Sequence, residues 1–210
     1  MVITRTIKTL SLVAGAGLLT LGSVTQAAII PVLQSYGSVP GGYNWVYTAT
    51  YSDAARIEKP TANTARDTFF TIYDFQGFSG ALSDVTAPTD WVASVALLGR
   101  TPGGVTPPDG DLAGLWNITF KYTGTATIIG PQNIAGFGIK STLGIPGLTS
   151  FTSNAIKQAP GTLSHRTILA NQGQVEAPTA VVPLPAASWM GLALLGGLAG
   201  AKFFRRGQSA

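Results

Sequence analysis

Leu115-Trp116-Asn117-Ile118-Thr119-Phe120-Lys121-Tyr122 reads as a β-strand more clearly than any other stretch of the chain. Successive side chains of a strand point to opposite faces, so Trp116, Ile118, Phe120 and Tyr122 fall on one side and Asn117, Thr119 and Lys121 on the other. This alternation predicts a half-buried strand with its aromatic side turned to a core. Tyr43-Asn44-Trp45-Val46-Tyr47-Thr48-Ala49-Thr50-Tyr51 repeats the pattern and puts Tyr43, Trp45, Tyr47 and Tyr51 on one face. Thr68 to Phe75 is dense in Phe and β-branched residues and is closed by Gly77 and Gly80. Trp91 to Leu98 is apolar on both faces, which predicts a strand in the middle of a sandwich, though a helix could also claim it. Thr125 to Ile129, Ile134 to Lys140, Leu148 to Ile156 and Thr162 to Leu169 extend the series.

Between Gly99 and Gly114, Pro102-Gly103-Gly104, Pro107-Pro108 and Asp109-Gly110 mark a long turn-rich loop. Short strands at this spacing, separated by turn clusters, predict an all-β fold: a β-sandwich of the Ig-like or jelly-roll kind spanning residues 28–170. No internal repeat of solenoid or propeller period is present. Hydrophobic residues make up 45% of the 210, enough for a core, while charged residues are only 10%. The 26 Gly and 13 Pro favour turns and extended segments over helices.

The net charge of +4 comes from the ends. Arg5, Lys8, Lys202, Arg205 and Arg206 account for five of the 13 basic residues, and the 9 acidic ones all lie between them. The middle is therefore close to neutral, with no clustered Lys and Arg to form a nucleic-acid groove. The absence of cysteine removes disulfides, thiolate metal sites and a Cys nucleophile.

Residues 1–27 read as a secretory signal peptide, a short helical leader: Arg5 and Lys8, the apolar run Leu10 to Leu21, then Thr25-Gln26-Ala27, with cleavage after Ala27 or Ala28 by signal peptidase. At the other end, Ala187 to Phe204 is a stretch of Leu, Ala and Gly with Trp189 and Met190, long enough to cross most of a bilayer as a helix. Lys202, Arg205 and Arg206 form a basic tip, the sign of a cytoplasmic end. Asn171 to Val181, with Gln, Glu176, Ala and Pro178, reads as a flexible linker, and a short piece connects it to the apolar run.

That short connecting piece is Val182-Pro183-Leu184-Pro185-Ala186. The order of this motif, the apolar helix and the basic tip over residues 182–210 resembles the PEP-CTERM protein-sorting signal in its Val-Pro-Leu-Pro-Ala variant. Leu184 stands where the commoner motif has Glu, and Gly207-Gln208-Ser209-Ala210 trails the two arginines. The resemblance implies processing by an exosortase, a membrane-embedded cysteine transpeptidase of exopolysaccharide-producing Gram-negative bacteria. It implies a precursor anchored in the inner membrane and a mature protein at the cell surface or outside the cell. Asp67-Thr68-Phe69-Phe70-Thr71-Ile72-Tyr73-Asp74-Phe75-Gln76-Gly77 is similar to a run found in small exported proteins of the same group, and implies membership without an activity.

The sequence offers little catalytic chemistry. His165 is the only histidine, and its neighbour Ser164 would point to the opposite face of a strand, so the two cannot work as a pair. No Gly-x-Ser-x-Gly elbow is present. Asp109-Gly110-Asp111 has carboxylates that calcium accepts, but it lacks the alternating acidic ligands of a calcium loop. Asp53, Glu58, Asp67, Asp74, Asp84 and Asp90 are scattered among turns and strand ends, and none forms an evident glycosidase pair. Asn117-Ile118-Thr119 matches a glycosylation sequon, a chance match in the bacterial setting that the resemblance implies. Sugars stack on flat aromatic rings, and Tyr43, Trp45 and Tyr47 are the candidate stacking residues, with filling of the core as the competing use. The expectation is a non-enzymatic exported surface or matrix protein without cofactor or metal, structural or associated with exopolysaccharide. A small secreted hydrolase and a permanently anchored envelope protein are the alternatives.

Overall fold

The computed structural model describes residues 29–58, 63–157 and 167–180. The strands are β1 (Ile29–Val39), β2 (Gly42–Tyr51), β3 (Ala55–Ile57), β4 (Phe69–Ile72), β5 (Val85–Thr86) and β6 (Trp91–Ala96), followed by β7 (Asn117–Tyr122), β8 (Ile128–Ile129), β9 (Gln132–Ser141), β10 (Pro146–Lys157) and β11 (Ile168–Pro178). All pair antiparallel. One sheet has the order β1-β2-β9-β5; the other runs β6-β7-β4-β10-β3-β8, with β11 also on β10. The described residues are thus all-β in two antiparallel sheets, and one cluster of buried side chains from both forms the core.

Alternation builds that core. Tyr47, Ala49 and Tyr51 of β2 and Ile118, Phe120 and Tyr122 of β7 are all buried. Phe137 of β9 joins the sheets, its ring centroid 5.0 Å from Phe70, 5.2 Å from Trp91 and 5.0 Å from Phe120. Two irregularities set which side chains face inward. The β2–β9 register slips between Tyr47 and Thr48, leaving Gly136 as an extra residue with φ +99. A bulge of this kind shifts the alternation by one residue, so Ile134 before it and Phe137 after it both point to the core. The slip at Leu33/Ser35 does the same for β1 and brings Tyr36 onto Trp45, their rings stacked at 4.5 Å.

Three expectations change. Trp91 to Leu98 is not a strand in the middle of a sandwich: β6 is the last strand of its sheet, and Val92 is 54% and Leu98 79% exposed. Its apolar residues on both faces reflect an uncharged edge rather than burial. Asn171 to Val181 is not a linker as far as Ala180. Asn171–Pro178 belongs to β11, paired with β10 from Ile168–Ile156 to Pro178–Pro146. Backbone pairing needs no apolar side chains, so Gln and Ala serve in an edge strand. The domain therefore runs past residue 170. Finally, Asn117 and Thr119, on the polar side of β7, are also buried. The stretch read as a leader, with Ala27 and Ala28, His165, the motif Val182 to Ala186, the run read as an apolar helix and the basic residues Lys202, Arg205 and Arg206 lie outside the described residues. Among the described residues no helix is long and apolar enough to cross a membrane.

Candidate functional site

The outer face of the second sheet carries the polar side chains left by alternation: Asn117, Thr119 and Lys121 of β7, Thr71 of β4, and Ser150, Thr152 and Asn154 of β10. Such a face ordinarily meets water. Here the Gly99–Gly114 loop folds back over it. The Arg100 carbonyl accepts from Thr71 Oγ1 at 2.8 Å and from the Tyr73 hydroxyl at 3.0 Å. Tyr73 also bonds to Thr101 Oγ1 at 2.6 Å and Thr152 Oγ1 at 2.9 Å. A Cβ on Gly99 would run into the Tyr73 ring, so glycine is required for the loop to lie this close. Asn117 donates to the Leu97 carbonyl and to Asp111 while accepting from the Asp74 amide. As it is buried, the sequon it begins is inaccessible in the folded chain.

The loop brings Asp109 and Asp111 towards Asp74, but protein donors occupy them. Asp111 accepts from the Gly99 amide and Asn117 Nδ2; Asp109 accepts from Ser150 Oγ and Gln174 Nε2; Asp74 accepts from the Leu112 amide. Among the described residues no group of three or more His, Cys, Asp or Glu side chains is placed to hold a metal ion. Burial raises the pKa of Asp74, the Leu112 amide lowers it in part, and the charges of Asp111 and Asp109 add to the rise. A raised folded pKa favours the protonated carboxyl, so this group's contribution is present below the unfolded value and lost as pH rises through the folded one. Asp74→Asn keeps the acceptor and removes the charge. It is expected to melt no lower than wild type at pH 7, and a clear loss in calorimetry would overturn this.

The aromatic face of β2 is a correction. Trp45 and Tyr47, read as glycan-stacking residues, are fully buried, and Tyr43 packs partly buried against the core. Trp45 Nε1 donates to the Leu143 carbonyl at 3.1 Å and the Tyr47 hydroxyl to the Glu176 carbonyl at 3.0 Å. Those bonds remove the main obstacle to burying such rings, the unsatisfied polar atom. No face of Trp45 or Tyr47 is left for a sugar.

Sequence reasoning passed over a constellation at the other side of the loop. Asp67, just before β4, is 2% exposed, and its Oδ2 takes Arg100 at 2.9 Å and Lys121 at 2.8 Å. The Arg100 guanidinium also donates to the Thr64 carbonyl at 3.0 Å and lies over the Phe69 ring, 4.1 Å from its centroid. The Asp67 backbone carbonyl accepts from Asn154 Nδ2 at 2.8 Å, tying the site to β10. Beside this group lies a cavity of about 300 Å³ whose walls include Thr64, Phe69, Arg100, Thr101, Asn154 and Ile168. No pattern in the sequence announces it, because Asp67, Arg100 and Lys121 are brought together only by the loop and the β4–β7 pairing.

Burial alone would raise the Asp67 pKa, but the hydrogen bonds and charges of Lys121 and Arg100 outweigh it and hold the carboxyl below its ordinary value. A depressed folded pKa gives stability that is present above the unfolded value and lost as pH falls through the folded one. Asp67→Asn is expected to lower the unfolding free energy at pH 7 by about 2 kcal/mol, a figure kept small because both cations are a third exposed. In an acid titration of the melting temperature the variant should lose less than wild type below about pH 4, as pH falls from the unfolded-state pKa through the lower folded one. Parallel curves would rule this out.

No family model, curated protein or solved structure matches the chain.

Proposed function

We propose that this chain is an exported, non-enzymatic protein, sent out by its leader, held briefly in the inner membrane by its tail and processed by an exosortase. The mature protein then serves at the cell surface or in the extracellular matrix, in association with exopolysaccharide. The observation that carries this reading is the order of parts: leader, β body, Val182 to Ala186, apolar run, and Lys202, Arg205 and Arg206. The strands support it by fitting between the two signals, from Ile29 to Pro178. An Ig-like or jelly-roll sandwich is the finer architecture we favour, supported by the repeated passage of the chain between sheets, as from β4 to β5 to β6. In this reading residues 1–27 and 187–204 are helices of the precursor.

Intact mass and C-terminal peptides of the native protein, from its host with and without the processing enzyme, test the proposal. A species that ends near Pro185 and is absent from the enzyme-deficient strain is the expected result. A tail ending at Ala210 in both strains would replace it with a permanently anchored envelope protein.

A further inference from the structure

We propose that the cavity beside Arg100 binds a single sugar ring bearing one carboxylate. Two cations share one carboxylate here: Arg100 and Lys121 both bond Asp67 Oδ2, so one positive charge is left without a partner in the triad. It is presented at Arg100, whose side chain is 34% exposed and lines the cavity, while Lys121 is not among the lining residues.

The guanidinium is also held in place before any ligand arrives. The Arg100 backbone carbonyl accepts from Thr71 and Tyr73, its Nη2 group donates to the Thr64 carbonyl and Asp67, and its Cζ lies 4.1 Å from the Phe69 ring centroid. With both Nη2 hydrogens committed to Thr64 and Asp67, Nε and Nη1 are the donors left to meet a ligand carboxylate, and a guanidinium already held in place loses little freedom on meeting one. The remaining wall combines hydroxyl and amide groups of Thr64, Thr101 and Asn154 with the apolar Ile168 and Pro102. That mixture suits a pyranose, which offers hydroxyls at its rim and C–H groups on its faces. About 300 Å³ is the lower end of small-molecule sites, room for one ring rather than an oligosaccharide. One surplus charge matches a monoanion better than a doubly charged phosphate or sulfate.

The biological source of such a sugar, an acidic exopolysaccharide, rests on the proposed matrix role, and the binding experiment is separate from the mass measurement that tests processing. Calorimetric titration of the full chain in mild detergent at low salt would compare sodium D-glucuronate, D-glucose and sodium sulfate. Glucuronate is expected to bind at least tenfold tighter than either of the others. Arg100→Gln should weaken glucuronate at least tenfold, and Arg100→Lys, which keeps the charge and loses the fixed Nε and Nη1 donors, should fall between. Lys121→Met should weaken it at least threefold without touching the cavity, because Asp67 then balances Arg100 alone. No glucuronate binding by wild type, glucose or sulfate binding equally well, or a Lys121→Met protein indistinguishable from wild type would each overturn the proposal. A processed tail without glucuronate binding would sink this site alone; glucuronate binding with an unprocessed tail would sink the sorting reading alone.

Discussion

Phe137→Ala is expected to lower the unfolding free energy by about 3–5 kcal/mol, the range for a fully buried large aromatic cut to a methyl. Phe137 belongs to the first sheet, yet its ring meets Phe70, Trp91 and Phe120 of the second or its approach, at interplanar angles of 80°, 89° and 71°. Edge-to-face contacts of this kind add to the area term. The hole left behind would be bounded by rings from both sheets, and each ring is held by the strand that carries it. Neither sheet can close the gap without moving its neighbours, which places the effect in the upper part of the range. Urea unfolding followed by tryptophan fluorescence measures it, with the slope against urea unchanged. Phe137→Leu, which keeps most of the volume, should lose roughly 1.5 kcal/mol. A loss under about 1 kcal/mol for the alanine variant would mean that Phe137 does not join the two sheets.

Phe137 also marks where the sequence stops being readable. Alternation counted straight from Ile134 would put Gly136, Gly138 and Lys140 inside and leave Phe137 and Ile139 outside. The extra residue at Gly136 reverses this, and nothing in a plain period of two announces a bulge. Where no bulge intervenes, as in β7, the aromatic side was legible: Ile118, Phe120 and Tyr122 are in the core, and Trp116, just before the strand, packs partly buried against it. The polar side of the same strand was not. Asn117 and Thr119 look like solvent-facing residues until the Gly99–Gly114 loop is laid over them, a tertiary event governed by Tyr73, Thr71 and a glycine at position 99. The aromatics of β2 were legible as one face, but their use was not. Whether Trp45 and Tyr47 serve a ligand or a core depends on carbonyls at Leu143 and Glu176, both far away in sequence. The cavity beside Arg100 was hidden for the same reason.

Val175→Asp separates the two readings of the segment after residue 170 most sharply. In a flexible linker an exposed Val→Asp change costs within about 0.5 kcal/mol. In β11, Val175 pairs with Thr149, is 4% exposed and belongs to the core cluster. A carboxylate there has lost its water and gained no partner, so the expected loss is about 4 kcal/mol at pH 7. Burial would raise the folded pKa of the introduced acid above its unfolded value. The damage is then full above the folded pKa and fades as pH falls through it towards the unfolded value near 4, the opposite sign to Asp67. Gln172→Glu, on the exposed side of the same strand, keeps an acceptor for the Thr106 amide and should change stability by less than about 0.5 kcal/mol. Equal, small effects of both variants would restore the linker. The strand also bears on the proposed processing. The Thr179 amide bonds the Ile145 carbonyl and the Ala180 amide bonds Gln76 Oε1, so the chain is still fastened to the body just before Val182. An enzyme acting at Val182 to Ala186 must work against the folded domain or loosen the end of β11 first. Val175→Asp, by undocking that strand, is expected to expose more chain before the motif and to speed removal of the tail.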